Sequence, residues 1–238
     1  DSIKILRIQY ENIPLFHDGC FEFSFLAEDR VSDPAQVFQL RKNLYTQKLT
    51  ALVGINASGK TSVLKLIYLA MSIVLERGSL NTLVYDKSLL QDETKITIDF
   101  CHGDSCYELH SIIGKRAPSR STGTELYFKE EQLFKKPLAS IKSKKDALYF
   151  DQTRLALQRS QLPKDALGFL KFDDSIVISI MTDCQLPAIR SLIAFINNNA
   201  LMLYGQFASE VLHAFDSNLE MLSSSMIDNN ISYTIKFK

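Results

Sequence analysis

Eight consecutive residues, Gly54-Ile55-Asn56-Ala57-Ser58-Gly59-Lys60-Thr61, constrain this chain more than any other feature of it. The run matches G-x-x-x-x-G-K-[ST], a pattern that acquires meaning where a turn leaves a strand and enters a helix. The flanks suggest that setting. Leu49 to Val53 is short, apolar and unalternating, which predicts a strand buried on both faces. From Gly59 to about Glu76 the apolar residues Val63, Leu64, Ile67, Tyr68, Met71 and Val74/Leu75 recur at helical spacing, and Gly78 stands where a helix would stop. The competing reading is a chance glycine-rich turn.

The chemistry of such a loop follows from its backbone. Its glycines let successive N–H groups curl around one concavity, and the helix N-terminus adds partial positive charge, so the hollow suits phosphate oxygens. The expected nucleotide-binding residues are Gly54, Asn56, Ala57, Ser58, Gly59, Lys60, Thr61 and Ser62. Lys60 would reach the β- and γ-phosphates as the catalytic cation, and the Thr61 hydroxyl would ligate Mg²⁺, so the expected cofactors are ATP and Mg²⁺. A guanine-specifying N-K-x-D run is missing from the sequence, which favours adenine.

Around this motif the pattern divides into three parts. Residues 1–91 read as two N-terminal strands, S-I-K-I-L-R-I-Q-Y and F-E-F-S-F, then the loop and its helix. Residues 92–137 read as an antiparallel β subdomain, with Lys95 to Phe100 and Tyr107 to Ile113 joined by a glycine-bearing turn. Residues 138–238 read as mostly helical, with helices expected over Asp151 to Gln161, Pro187 to Asn197 and Leu201 to Leu222, and a closing strand from Ile231 to Phe237. The expected fold class is therefore α/β, a P-loop NTPase head with an antiparallel β subdomain and a helical subdomain.

Composition narrows the function classes. Lysine plus arginine total 27 and aspartate plus glutamate total 27, so any contact with nucleic acid or an anionic membrane must be local. The longest apolar stretch, around Leu64 to Leu75, is broken by Lys65, Tyr68 and Ser72 and falls short of the roughly 20 residues that a span requires. Four cysteines, Cys20, Cys101, Cys106 and Cys184, are too few and scattered for a disulfide scaffold, which points to a cytoplasmic setting.

Taken with the order of its strands, the L-T-A-L-V-G-I-N-A-S-G-K-T run resembles the ABC-type ATPases of the SMC, RecF and OLD group. Thr124 to Lys136 (T-E-L-Y-F-K-E-E-Q-L-F-K-K) and Phe172 to Ile176 (F-D-D-S-I) are similar to prokaryotic AAA/ABC-type ATPases of phage-defence systems. The resemblance implies an ATPase head that dimerises with another copy on nucleotide and regulates an effector such as a nuclease or toxin subunit. It also implies a signature sequence, a Walker B acid pair and a glutamine that senses the γ-phosphate. Leu222-Ser223-Ser224-Ser225 resembles a signature lacking its glycine. Leu170 to Asp174 and Ile176 to Asp183 are imperfect Walker B candidates, and Gln152 is the candidate glutamine, with Gln91 a weaker one. The expectation is that the chain is the N-terminal portion of a longer ATPase. A non-hydrolysing nucleotide-gated scaffold and a RecF/SMC-like DNA-repair ATPase are the alternatives.

Two further groupings remain. Cys101, His102, Cys106 and His110 lie close in sequence, but in a hairpin they would point to alternating faces, which argues against a zinc site. Lys115, Arg116, Arg120, Lys135, Lys136, Lys142, Lys144 and Lys145 concentrate positive charge in the middle third. They could track a phosphate backbone, although solvated faces commonly look the same.

Overall fold

The computed structural model describes residues 3–27, 31, 33–53, 59–75, 79–84, 86–117, 124–163, 170–177, 218–227 and 230–238. Contacts divide the chain into two units, Asp1–Ile189 and Arg190–Lys238.

The first unit is built on a six-stranded sheet in the order β2-β1-β5-β6-β7-β8, and every neighbouring pair in it is antiparallel. Its strands are β1 (Lys4–Glu11), β2 (Cys20–Ser24), β5 (Thr94–His102), β6 (Ser105–Arg116), β7 (Glu125–Pro137) and β8 (Leu155–Gln158). A separate hairpin of β3 (Val37–Arg41) and β4 (Leu44–Gln47) joins this sheet through a single bridge, Leu26 to Thr46. Gly103, at φ 54°, makes the two-residue turn between β5 and β6, where the sequence places a glycine-bearing turn.

Strand alternation gives the sheet two distinct faces. On one, Ile8, Tyr10, Ile96, Ile98, Phe100 and Leu109 are buried beneath helix α1 (Lys60–Leu75), which turns Leu66, Leu69, Ala70 and Ile73 inward at helical spacing. Phe21, Phe23 and Phe25 line up along β2 against the same core, with successive ring centroids 6.4 and 4.9 Å apart. On the other face a smaller apolar cluster of Leu6, Leu26, Leu44, Cys101, Cys106, Ile141 and Ala147 lies beneath the segment 138–150. That segment carries the four-residue helix α3 (Lys144–Ala147), capped by Ser143. The four-residue α2 (Leu80–Leu83) packs near β7.

The expected α/β architecture with a helical subdomain is not what forms. Most of the described residues in elements belong to antiparallel sheet, and among them α1 alone exceeds one turn of helix. Two local causes are visible. Leu49 to Val53 does not enter a sheet, and Leu49 and Val53 are 87% and 90% exposed, so the expected doubly buried strand is absent. The expected helix over Asp151 to Gln161 is instead two single 3₁₀ turns flanking β8. Asp151 caps the first turn by accepting from the Thr153 amide at 2.9 Å, and Arg159 in the second is pulled inward to Glu131.

The described part of the second unit is a hairpin of β9 (Leu219–Ile227) and β10 (Asn230–Phe237). Its second strand covers the expected closing strand. The helix expected over Leu201 to Leu222 fails at its end, since Leu219 to Leu222 belong to β9; the rest of it, and Pro187 to Asn197, lie outside the described residues.

Candidate functional site

Helix α1 begins at Lys60, the position the loop motif requires. Gly59 before it has φ +81°, a left-handed backbone that glycine adopts without strain. A Cβ built on Gly59 meets nothing within 4 Å among the described residues, so on their side the surface there is open. The first turn therefore presents Lys60, Thr61 and Ser62 in succession; Thr61 is exposed, and Lys60 and Ser62 are half-buried. No acidic side chain occupies this turn, so nothing on α1 itself offsets the positive end of its dipole. Gly54, Ile55, Asn56, Ala57 and Ser58 lie outside the described residues.

The helix is held in register with the sheet by a buried hydrogen bond. Tyr10 Oη donates to the Leu66 carbonyl at 2.7 Å, and burial pushes the Tyr10 phenol well above its ordinary range, so it stays a donor. At the helix edge Lys65 approaches Asp86 at 3.5 Å. Asp86 also accepts from the Ser88 hydroxyl and amide, which hold its carboxyl below the usual carboxylate value.

A cleft of about 600 Å³ lies between the end of β2, the 3₁₀ turn Pro34–Gln36, β4 and the exposed segment that leads toward Gly54. Asp33 organises one wall: it accepts from the Ala35 amide at 2.9 Å and from Gln36 Nε2 at 3.2 Å. Lys48 Nζ donates to the Ala35 carbonyl at 2.6 Å, and Gln47 Oε1 accepts from the Thr50 hydroxyl at 3.1 Å. The sequence reading passes over these residues because the stretch from Ala27 to Lys48 is polar and irregular there. The Asp33-Pro34 pair before a short turn is the signal it contains.

The remaining expected site residues fall elsewhere. Gln152 is exposed in the 3₁₀ turn before β8. Gln91 is tied to Asn12 through its side chain and to Thr94 through its amide. Leu222 to Ser225 run along β9 as strand rather than as a helix end. Leu170 to Asp174 form a bend followed by a turn, with Asp173 buried and accepting from Asn81 Nδ2 at 3.0 Å, so this is not a strand carrying paired acids. Residues 178–183 lie outside the described residues.

Cys101 and Cys106 face each other across β5 and β6 and form a disulfide, with Cα atoms 4.1 Å apart. A single bridge is not a disulfide scaffold, and it joins two of the residues weighed above as zinc ligands. Among the described residues no group of three or more His, Cys, Asp or Glu is placed to hold a metal ion. Among them, too, no helix is long and apolar enough to cross a membrane.

The basic residues of the middle third are dispersed by structure. Lys136 is buried, donating to the Asp146 and Tyr149 carbonyls, and burial lowers its ammonium from the ordinary value. Arg116 pairs with Glu125 at 2.7 Å and lies over the Phe172 ring at 4.2 Å. Lys115 Nζ donates to the Lys87 carbonyl at 2.8 Å. Arg120 lies outside the described residues.

Three buried acids escape sequence reasoning. Asp99 and Glu108, paired across β5 and β6, share Arg7, at 2.7 and 3.8 Å. Glu131 is fully buried beneath the other face, where it accepts from Arg159 at 2.7 Å, Ser175 at 2.6 Å and the Ile176 amide at 2.9 Å. All three carboxyls are in use by the fold.

Comparison of the chain with protein families, with curated proteins and with solved structures gives no match.

Proposed function

We propose that this protein binds a nucleoside triphosphate, ATP, with its phosphates at Gly54 to Thr61. The observation that carries the reading is the start of α1: Lys60 opens the helix directly after a left-handed Gly59, at the register that a phosphate-cradling G-x-x-x-x-G-K-[ST] run demands. The open surface over Gly59 and the lack of an acid in the first turn are what an anionic ligand needs there. Lys60 would neutralise phosphate charge, and the exposed Thr61 hydroxyl would hold the accompanying Mg²⁺, whose contribution is further charge neutralisation. The motif, not the architecture, supports this reading.

The likeness of the loop and its flanking segments to SMC, RecF and OLD-type ATPases extends the proposal to regulation: nucleotide binding promotes association with a second copy and alters engagement of an effector.

Calorimetric titration of Mg²⁺-ATP into the wild type and into Lys60→Ala tests the binding. The wild type should bind and the variant should lose most of that affinity. Equal affinities would end the proposal. Light scattering with and without Mg²⁺-ATP tests the association, which should raise the mass of the wild type only.

A further inference from the structure

The cleft between β2, the turn Pro34–Gln36 and β4 is lined by residues that all lie outside the phosphate-binding motif. Its volume, about 600 Å³, lies in the range of roughly 300–1,000 Å³ typical of small-molecule sites. Its lining is mixed: Leu49, 87% exposed, supplies apolar surface, and Gln36, Gln47 and Thr50 supply polar groups. Ala51 is the last described residue of the wall, and Gly54 follows three residues later. Three residues of chain reach at most about 11 Å, so whatever occupies the cleft lies within a short molecule's length of the start of the phosphate-binding run.

The hydrogen bonding of the two glutamines is half used. Gln36 Nε2 is committed to Asp33 and Gln47 Oε1 to Thr50, while Gln36 Oε1 and Gln47 Nε2 have no bonding partner among the described residues. These commitments fix the orientation of both amides, so the cleft is lined by one acceptor and one donor held in place by neighbours. A nucleobase presents the complementary pair on its hydrogen-bonding edge, an exocyclic N–H donor next to a ring-nitrogen acceptor in adenine. The exposed side chain of Leu49 suits the face of a ring.

We infer that this cleft binds the nucleoside half of the nucleotide, with Gln36 and Gln47 reading the edge of the base. The inference rests on the proposed binding of ATP at Gly54 to Thr61 and adds the element that tells a nucleotide from bare polyphosphate. The turn Pro34–Gln36 and the hairpin β3–β4 then have a purpose beyond folding: they carry the base-reading wall to the segment that leads into the phosphate loop.

The test compares Mg²⁺-ATP with Mg²⁺-tripolyphosphate by calorimetry on the wild type, Gln36→Ala/Gln47→Ala and Ala51→Trp. Both glutamines and Ala51 are exposed, and thermal melts check that each variant folds. The wild type should prefer ATP to tripolyphosphate at least tenfold. The double variant should lose most of that preference by losing ATP affinity, and Ala51→Trp, which fills the cleft, should do the same. A double variant that folds and keeps the full preference overturns the inference while leaving ATP binding at the loop intact. A wild type that binds tripolyphosphate as tightly as ATP overturns it too. Failure of the wild type to bind either ligand overturns the underlying proposal itself.

Discussion

Tyr10 and Leu66 stand 56 positions apart, yet the phenol of the first donates to the carbonyl of the second at 2.7 Å inside the core. This bond fixes both the height and the rotation of α1 over β1, and so the direction in which Lys60 and Thr61 leave the helix start. Tyr10→Phe keeps the ring packing and removes only the hydroxyl. The expected loss is about 1 kcal/mol, because the Leu66 carbonyl lies in the middle of α1 and keeps its helical bond. Urea unfolding measures it. A loss above about 3 kcal/mol would mean that the ring, not the bond, had been disturbed.

Gly114 lies against the Tyr127 ring. A Cβ added at Gly114 would sit 2.3 Å from Tyr127 Cζ, a distance no such contact tolerates. Gly114→Ala must therefore displace the ring, over which Arg116 lies 5.4 Å from the centroid. The expected cost is about 1–3 kcal/mol. Tyr127→Ala relieves the clash, so the double variant should be less destabilised than the sum of the two single changes. Strict additivity in a denaturant-melt cycle would remove the ring as the cause.

Arg159 and Glu131 form a buried pair that ties the turn after β8 and the segment 170–177 to the centre of β7. Burial raises the Glu131 carboxyl above the ordinary carboxylate value even though Ser175, the Ile176 amide and Arg159 each lower it. Arg159→Ala leaves that carboxylate unpaired, and the expected loss is about 3–5 kcal/mol at pH 8. A carboxyl whose folded value is raised contributes most when protonated and loses that contribution as pH climbs. The deficit of the variant should therefore shrink at pH 5. Equal deficits at both pH values would show that lost packing of the arginine stem, not charge, sets the cost.

How much of this could be read beforehand depends on the range of the deciding interaction. The helix from Lys60, the β5–β6 hairpin and the phenylalanine face of β2 are legible because spacing within a dozen residues determines them. Leu49 to Val53 has the composition of a buried strand, but composition does not say whether a partner strand stands beside it, and here both ends of the run face solvent. Asp151 to Gln161 has helical spacing, yet the Asp151 cap and the pull of Glu131 on Arg159 interrupt it, and Glu131 is 28 positions away. In the site, the cation, the hydroxyl and the glycine of the loop carry a pattern of their own. The cleft of Gln36 and Gln47 is assembled from three short segments, none of which is unusual by itself.

The disulfide is a short-range device. Cys101 and Cys106 are five positions apart, so the bond closes a small loop that the hairpin already closes. The chain-entropy estimate for so short a loop is about 2 kcal/mol, an upper figure when the turn is preformed. Reduction with dithiothreitol should lower the unfolding free energy measured in urea by no more than this, and Cys101→Ala/Cys106→Ala should match the reduced protein. A non-reduced digest with a protease that cuts before Asp104 should release the peptides of β5 and β6 as one linked species. Separate peptides would show free thiols at these positions.

Asp99 supplies the pH dependence that is most specific to this fold. Its side chain is fully buried, and burial is the main cause that pushes the carboxyl from 3.8 up to about 7; the neighbouring Glu108 adds to the rise and Arg7 opposes it. Around it stand Arg7 of β1, Glu108 and His110 of β6 and Lys136 of β7, with Glu22 of β2 at 4.0 Å from Arg7. Because the folded value exceeds the unfolded one, the folded chain holds the Asp99 proton more tightly. The stability it contributes is complete below about pH 4 and declines as pH rises to about 7. Asp86, Asp92 and Asp151 act in the opposite sense, since hydrogen bonds hold them below the ordinary value, and their contributions vanish only below the window in which Asp99 titrates. Asp99→Asn removes the titration while preserving shape, and Arg7 keeps Glu108 within 3.8 Å. The stability of the variant relative to wild type should therefore rise between pH 4 and pH 7 and level off above it. A difference that stays flat across that interval would place the shared proton elsewhere in the cluster.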